Sequence, residues 1–329
     1  MIIDVENHIR IPAHAGDITF ESGKATERFW KEDGSFGFRL SKDSANVGRY
    51  IQFMDEAGID MAVLTSQTPA LVDLDETKKW HDYAAELMQK YPKRLACIAT
   101  IKPVGVKGML KELERAIKEC GLKGVHISAS NNNVELDSKE MWPFYELVSQ
   151  LNIPVDVHIQ ADTLGFENLK ADYALHYVAA REFHMASAVM RVCFGGVLEQ
   201  FPDLKLLMNH FGGGISSVID RFDLYAKLAD DLDGPGFYHG EPLISRPFRE
   251  YFDKLYFNMA GRGASIATIK CALTNICPKK LLFATDWPLN YDYYPDVLKK
   301  YIEDIRKLDL PADDIEAMLG GNAAQFYGL

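Results

Sequence analysis

The apolar residues of this chain fall into short, mainly apolar runs, separated by stretches with a helical rhythm. The runs are Ile2–Val5, Met61–Leu64, Leu95–Ile101, Gly124–Ile127, Ile153–Ile159, Leu204–Met208, Leu255–Asn258 and Leu281–Thr285. Strands that do not alternate apolar with polar are buried on both faces, as in a parallel sheet. Between them, apolar positions recur at three- and four-residue spacing. In 45–57, Val47, Tyr50, Ile51 and Met54 keep the rhythm until Gly58 stops it. Further helices are predicted over about 77–91, 107–120, 140–151, 172–200, 215–228 and 264–274, with more closing the chain. Eight strand–helix units in one chain predict a single α/β domain over 1–329, a (β/α)8 TIM-type barrel. The first strand–helix turn lacks Gly-x-Gly-x-x-Gly, and no Gly-x-x-x-x-Gly-Lys-Ser/Thr occurs, so neither a dinucleotide nor a nucleoside triphosphate is indicated. Residues 10–45, rich in glycine and aromatics, are expected to form a long irregular flap over the barrel mouth. A Gly/Pro/Asp-rich insertion covers 231–247.

In such a barrel, chemistry sits at the C-terminal ends of the strands. The first strand leads into Glu6 and His8, which a two-residue period puts on one face. The fifth ends in His158, the sixth in His210 and the eighth in Asp286. Each has an ordinary alternative: a hydrogen-bonded strand end, or for Asp286 a helix cap before Pro288. Five ionisable groups on four strands of one barrel are costly to bury unless paired or metal-bound. Glu6, His8, His158 and Asp286 offer two carboxylates and two imidazoles, a donor set suited to one divalent ion such as Zn²⁺ or Mn²⁺. His210 remains as an acid/base, with Asp286 beside it in the catalytic set. The glycines after His210 permit close approach, and the helix expected next could receive a carboxylate. His126, at the end of the fourth strand, is a substrate-facing or supporting candidate. Arg10 keeps the phase of Glu6 and His8 if the strand continues that far. His81 and His239 read as surface residues, and His14 falls in the flap.

Composition narrows the field. The chain has 329 residues, 47% apolar and 25% charged, enough for a large core. A net charge of −11 argues against a nucleic-acid partner. No uninterrupted apolar stretch is long enough to span a membrane, and no signal peptide is recognisable. Five scattered cysteines with no Cys-x-x-Cys point to a reducing, cytoplasmic setting.

The assembled motifs resemble those of the amidohydrolase-related family that contains aminocarboxymuconate-semialdehyde decarboxylase and the metal-dependent aromatic-acid decarboxylases. The resemblance rests on Glu6-x-His8, Met54-Asp55-Glu56-Ala57-Gly58-Ile59-Asp60, Asn209-His210-Phe211-Gly212-Gly213-Gly214, Phe283-Ala284-Thr285-Asp286-Trp287-Pro288 and Gly321-Asn322-Ala323-Ala324-Gln325. It implies a distorted barrel with one metal ion held by Glu6, His8, His158 and Asp286, with His210 as acid/base. It implies a carboxylate-anchoring role for arginines, Arg221 and Arg10 being the candidates here, and a homodimer. Glu-x-His is similar to the aromatic decarboxylases, whose His-Met-Gly-Glu stretch supplies a glutamate partner to the histidine. Here Phe211-Gly212-Gly213 follows instead and is more similar to the semialdehyde branch. The resulting expectation is non-oxidative decarboxylation of an aromatic or unsaturated carboxylic acid. A metal-dependent hydrolase or hydratase on the same residues is the alternative.

Overall fold

The computed structural model describes residues 1–11, 19–21, 24–30, 36–66, 73–159, 169, 173, 175–224, 243–260, 265–289 and 294–329, without the side chains of those between 19 and 43. Its centre is a parallel barrel. The first strand, β1, is broken into Ile3–Asp4 and His8–Ile9. It is followed by β2 (Met61–Ser66) and by β3 (Leu95–Cys97, resuming as Ala99–Thr100). Then come β4 (Val125–Ser128), β5 (Val155–His158), β6 (Leu206–Met208), β7 (Tyr256–Asn258) and β8 (Leu281–Leu282). Neighbours pair in chain order and in parallel: Ile3 opposite Met61, Ala62 opposite Leu95, Ala99 opposite Val125, and so on to Phe257 opposite Leu281. The ring closes where the chain beyond β8 meets β1. Val5 N–H donates to Phe283 O at 3.1 Å, Asp286 N–H to Glu6 O at 2.9 Å and His8 N–H to Trp287 O at 2.7 Å.

The mainly apolar runs are explained by two buried layers. Ala62, Leu64, Leu95, Cys97, Val155, Val157, Leu206, Met208 and Phe283 pack outward against the helices. Their alternating neighbours Val63, Ala96, Ile98, Leu207, Leu282 and Ala284 pack inward with Ile3 and Val5, and with Phe326 and Tyr327 from the C-terminal helix Asn322–Tyr327. Helix α1 (Val47–Ala57) shows how the outer layer is made. Asn46 accepts the Arg49 N–H at its start, and Gly58 ends it in the left-handed region, its N–H on Met54 O. Val47, Tyr50, Phe53, Met54 and Ala57 face the barrel. The helices α2 (Leu74–Lys90), α3 (Met109–Lys118), α4 (Trp142–Leu151) and α5 (Arg181–Phe194) follow the next four strands.

Three features differ from the sequence reading. The flap is not wholly irregular: Thr19–Glu21, Lys24–Trp30 and Phe36–Ser41 form an antiparallel three-stranded meander. Its glycines mask the alternation of Phe36, Phe38 and Leu40. The helical pattern over 172–200 is interrupted, with a π-turn at His176–Ala180, α5, and a break at Gly195–Gly196 before Val197–Gln200. The helix expected from 215 begins as a single 3-10 turn, Ile215–Ser217. Such a short turn offers little dipole to a carboxylate. Most of the 231–247 insertion lies outside the described residues.

Candidate metal centre

The break in β1 builds the site. Ile3 and Val5 point into the barrel, whereas Asp4 points outward, taking the Tyr50 hydroxyl at 2.5 Å and the Thr285 hydroxyl and N–H at 2.7 and 2.9 Å. A continuous strand would send Glu6 outward with Asp4. The irregular backbone between the two pieces turns it inward directly after Val5. The slip lies between Val5 and Glu6, so Glu6 and His8 share a face with each other, two residues apart, but not the phase of the strand before them.

Glu6 is fully buried and is the hub of the cluster. Its Oε1 lies 3.0 Å from His158 Nε2, 3.1 Å from His210 Nε2 and 3.8 Å from His8 Nε2. Its Oε2 accepts from Asn258 Nδ2 at 2.5 Å. His8 Nε2 is 2.9 Å from Asp286 Oδ1. Asp286 itself sits in the left-handed region, at φ 57°.

His210 is presented by an unusual turn. Residues 210–214 all have positive φ, 53° at His210 and 54° at Phe211, making one turn of left-handed helix. Each L-residue so held costs about 1–2 kcal/mol, which accounts for three glycines finishing the turn. The His210 N–H is fixed by Asn258 Oδ1 at 2.9 Å. A Cβ at Gly213 would overlap the Glu182 carbonyl oxygen, so a bare backbone here lets the turn lie on the first turn of α5. That contact brings the Glu182 carboxylate to His210 Nδ1 at 2.8 Å.

The electrostatics follow from this packing. Burial alone would push His210 down, but Glu6 and Glu182 outweigh it and hold the imidazole well above its usual range. Burial works against the Glu6 carboxylate, yet His210 and His158 keep it well below the usual carboxylate range. His158 is pushed down to about 4 by burial, against the pull of Glu6, and is a neutral donor at neutral pH. One oxygen or nitrogen from each of Glu6, His8 and His158 lies within 4.8 Å of the others, and the same holds for Glu6, His210 and Asp286. Two ligands about 2.1 Å from one ion are roughly 3.0–3.4 Å apart at 90–110°, so separations of 2.9–3.8 Å fit a shared divalent ion. The mixed oxygen and nitrogen donors fit it chemically as well.

The structure thus gathers Glu6, His8, His158, His210 and Asp286. His126 stands next to them, its ring 5.3 Å from that of His158 and its Nδ1 2.7 Å from Asp156 Oδ2. Arg10 is buried, but its Nε is spent on Ser44 Oγ at 2.7 Å, at the root of the meander. Arg221 is exposed and takes no part in the cluster described above. His81 is not on the surface: it is fully buried between α2 and α3. His14 and His239 lie outside the described residues. Two participants escaped the sequence reading. Asn258 ends β7, and reading strand ends for amides as well as acids and imidazoles would have found it. Glu182 sits on a helix 28 residues before its partner and carries no local signal.

Known proteins share this architecture. A chain similar to this one is the gamma-resorcylate decarboxylase of Polaromonas sp. (strain JS666), 25% identical over 305 residues, or 85% of this chain and 91% of that one. The 2-amino-3-carboxymuconate-6-semialdehyde decarboxylase of Dictyostelium discoideum is 25% identical over 308 residues, 90% of this chain and 80% of that one. A crystal structure of dihydroxybenzoic acid decarboxylase from Polaromonas sp. JS666, with bound manganese and the inhibitor 2-nitroresorcinol, superposes with a TM-score of 0.75. It is 22% identical and covers 100% of this chain and 97% of that one. A family model described as amidohydrolase matches residues 3–329. With that match running nearly end to end over a closed parallel barrel, the chain belongs to the amidohydrolase family.

Proposed function

We propose that this protein is a metal-dependent carboxy-lyase that removes CO₂, without oxidation, from an aromatic or unsaturated carboxylic acid. One observation carries the reading: an imidazole, His210, held between the carboxylates of Glu182 and Glu6 beside a divalent-ion donor set. Decarboxylase names among the similar proteins support it. Glu6, His8, His158 and Asp286 would hold one ion, Mn²⁺ or Zn²⁺, which supplies a Lewis acid to the substrate. His210 gives the proton on Nε2 to the carbon that bears the carboxylate. The bond from that carbon to the carboxyl group then breaks, CO₂ departs, and the electron pair returns to the unsaturated system. Glu182 keeps Nδ1 protonated and the ring turned toward the substrate, and the meander in 10–45 serves as the lid. His126 lies along the pocket wall, its tautomer set by Asp156.

The reading extends to a single domain over 1–329 acting as a homodimer in the cytoplasm. Val178 and Phe183 are exposed beside α5, where a second copy could cover them, and the five cysteines are free thiols. The test is direct. Manganese-loaded protein is incubated with phenolic and unsaturated acids, and CO₂ is measured against water uptake. CO₂ release at a rate dependent on His210 supports the reading. Water added across a bond of the substrate, with no CO₂, replaces it with the hydrolase or hydratase alternative.

A further inference from the structure

Arg181 opens α5 directly before Glu182, the residue that touches His210. Its surroundings are unusual for a cation. The Nε atom is closed off from solvent and has no hydrogen-bond partner among the described residues. The guanidinium carbon lies 5.9 Å from the Tyr177 ring centre, so an aromatic flanks the group while its N–H fork stays uncommitted. Burial lowers its basicity, opposed by Asp286, Glu182 and Glu6 in that order, so it lies within electrostatic reach of the metal centre. Buried donors are almost always paired. A guanidinium held unpaired at the edge of a catalytic cluster has capacity reserved for a ligand, and its planar fork matches a carboxylate.

The carboxylate in question is not the one that leaves. Pairing Arg181 with the scissile group would stabilise the ground state, and that pairing is lost as neutral CO₂ forms, which slows the step. An arginine anchor suits a carboxylate that survives the reaction. Of the other two candidate arginines, Arg10 is bonded through Nε to Ser44 and Arg221 is exposed, whereas the Nε of Arg181 is buried without a partner among the described residues. We propose that Arg181 anchors a second, retained carboxylate, and that the substrate is an aromatic or unsaturated dicarboxylic acid. This rests on the decarboxylase reading for the fate of the other carboxylate, but not for its own test.

Two probes differ only in that group: 4-hydroxyisophthalate and salicylate, titrated calorimetrically into manganese-loaded protein. The wild type should bind the diacid more tightly. Arg181→Met should weaken the diacid about 10- to 100-fold and salicylate by less than about twofold, as expected for one charge-assisted pair. Arg181→Lys should recover part of the loss. Where the diacid is turned over, the variant's KM should rise with kcat little changed. Equal weakening of both probes, no effect on either, or wild-type protein that binds neither or does not prefer the diacid overturns the anchor. Selective diacid binding that depends on Arg181, with no CO₂ from the wild type, leaves the anchor standing and removes the decarboxylase reading.

Discussion

Two buried histidine–carboxylate systems lie in this molecule, and they are built for different ends. Between α2 and α3, His81 Nδ1 meets Glu112 Oε1 at 2.7 Å, and its Nε2 accepts the Thr100 N–H at 3.3 Å. Both Glu112 oxygens are also bonded by Arg115, at 2.8 and 2.9 Å, and Arg115 reaches on to Asp82 at 2.9 Å. The network is closed. At the barrel mouth, one oxygen of Glu6 is shared by two imidazoles, while His8 Nδ1, Asp156 Oδ1 and Arg181 Nε have no partner among the described residues. Burying ionisable groups is common to both systems. Among their ionisable groups, unspent bonding capacity belongs to the second alone, and that is the better mark of a site.

The contrast can be broken most severely at the mouth. Asp286→Ala should abolish both metal retention and activity, measured by elemental analysis and CO₂ release. His210→Asn should lower kcat by about 10²–10⁴, the usual value of a positioned acid, while the metal stays. Metal loss in that variant would make His210 a ligand instead, which the donor distances also permit. Glu182→Gln should lower kcat by about 10- to 100-fold, as for other residues that orient a site histidine. It should also move the pH profile in a definite direction. Glu182 helps hold the His210 proton, so removing its charge lowers the pKa, and the alkaline limb of kcat shifts to lower pH. An unmoved profile would leave Glu182 a merely structural neighbour.

At the closed network the expected effect is on stability alone. Glu112→Gln should cost about 1–3 kcal/mol with kcat per folded molecule unchanged. Burial opposes the Glu112 charge, but His81 and Arg115 prevail and hold its pKa at about 2, against 4.5 when unperturbed. The folded state thus binds this proton less readily than the unfolded one. The stabilisation is complete above about pH 4.5 and is lost as pH falls toward 2. Urea melts at pH 7 and pH 3 should show the wild type losing stability more steeply than the variant.

What could be read from the sequence divides along physical lines. Strand number, barrel closure and the five gathered groups follow from local pattern, because a strand end is a short stretch and barrel order is chain order. His81 misled because a histidine on an amphipathic helix looks the same whether its partner is water or Glu112. Glu182 was invisible because its pairing with His210 depends on a left-handed turn lying against α5 through Gly213, a tertiary contact with no sequence period. Glu6 and His8 were found from their two-residue spacing, whereas the run Ile2–Val5 reads as continuous with them, and only the outward contacts of Asp4 reveal the slip before Glu6.

The closing seam of the barrel carries a temporal consequence. Asp4 and Thr285, 281 residues apart, clasp the first strand to the last, and Glu6 and Asp286 stand beside that clasp on either side. During synthesis the first proposed ligands emerge at the outset and the last only when the final strand has been made. On that ligand set the ion site is incomplete in any partial chain, and metal uptake becomes a test of whether the whole ring has been completed.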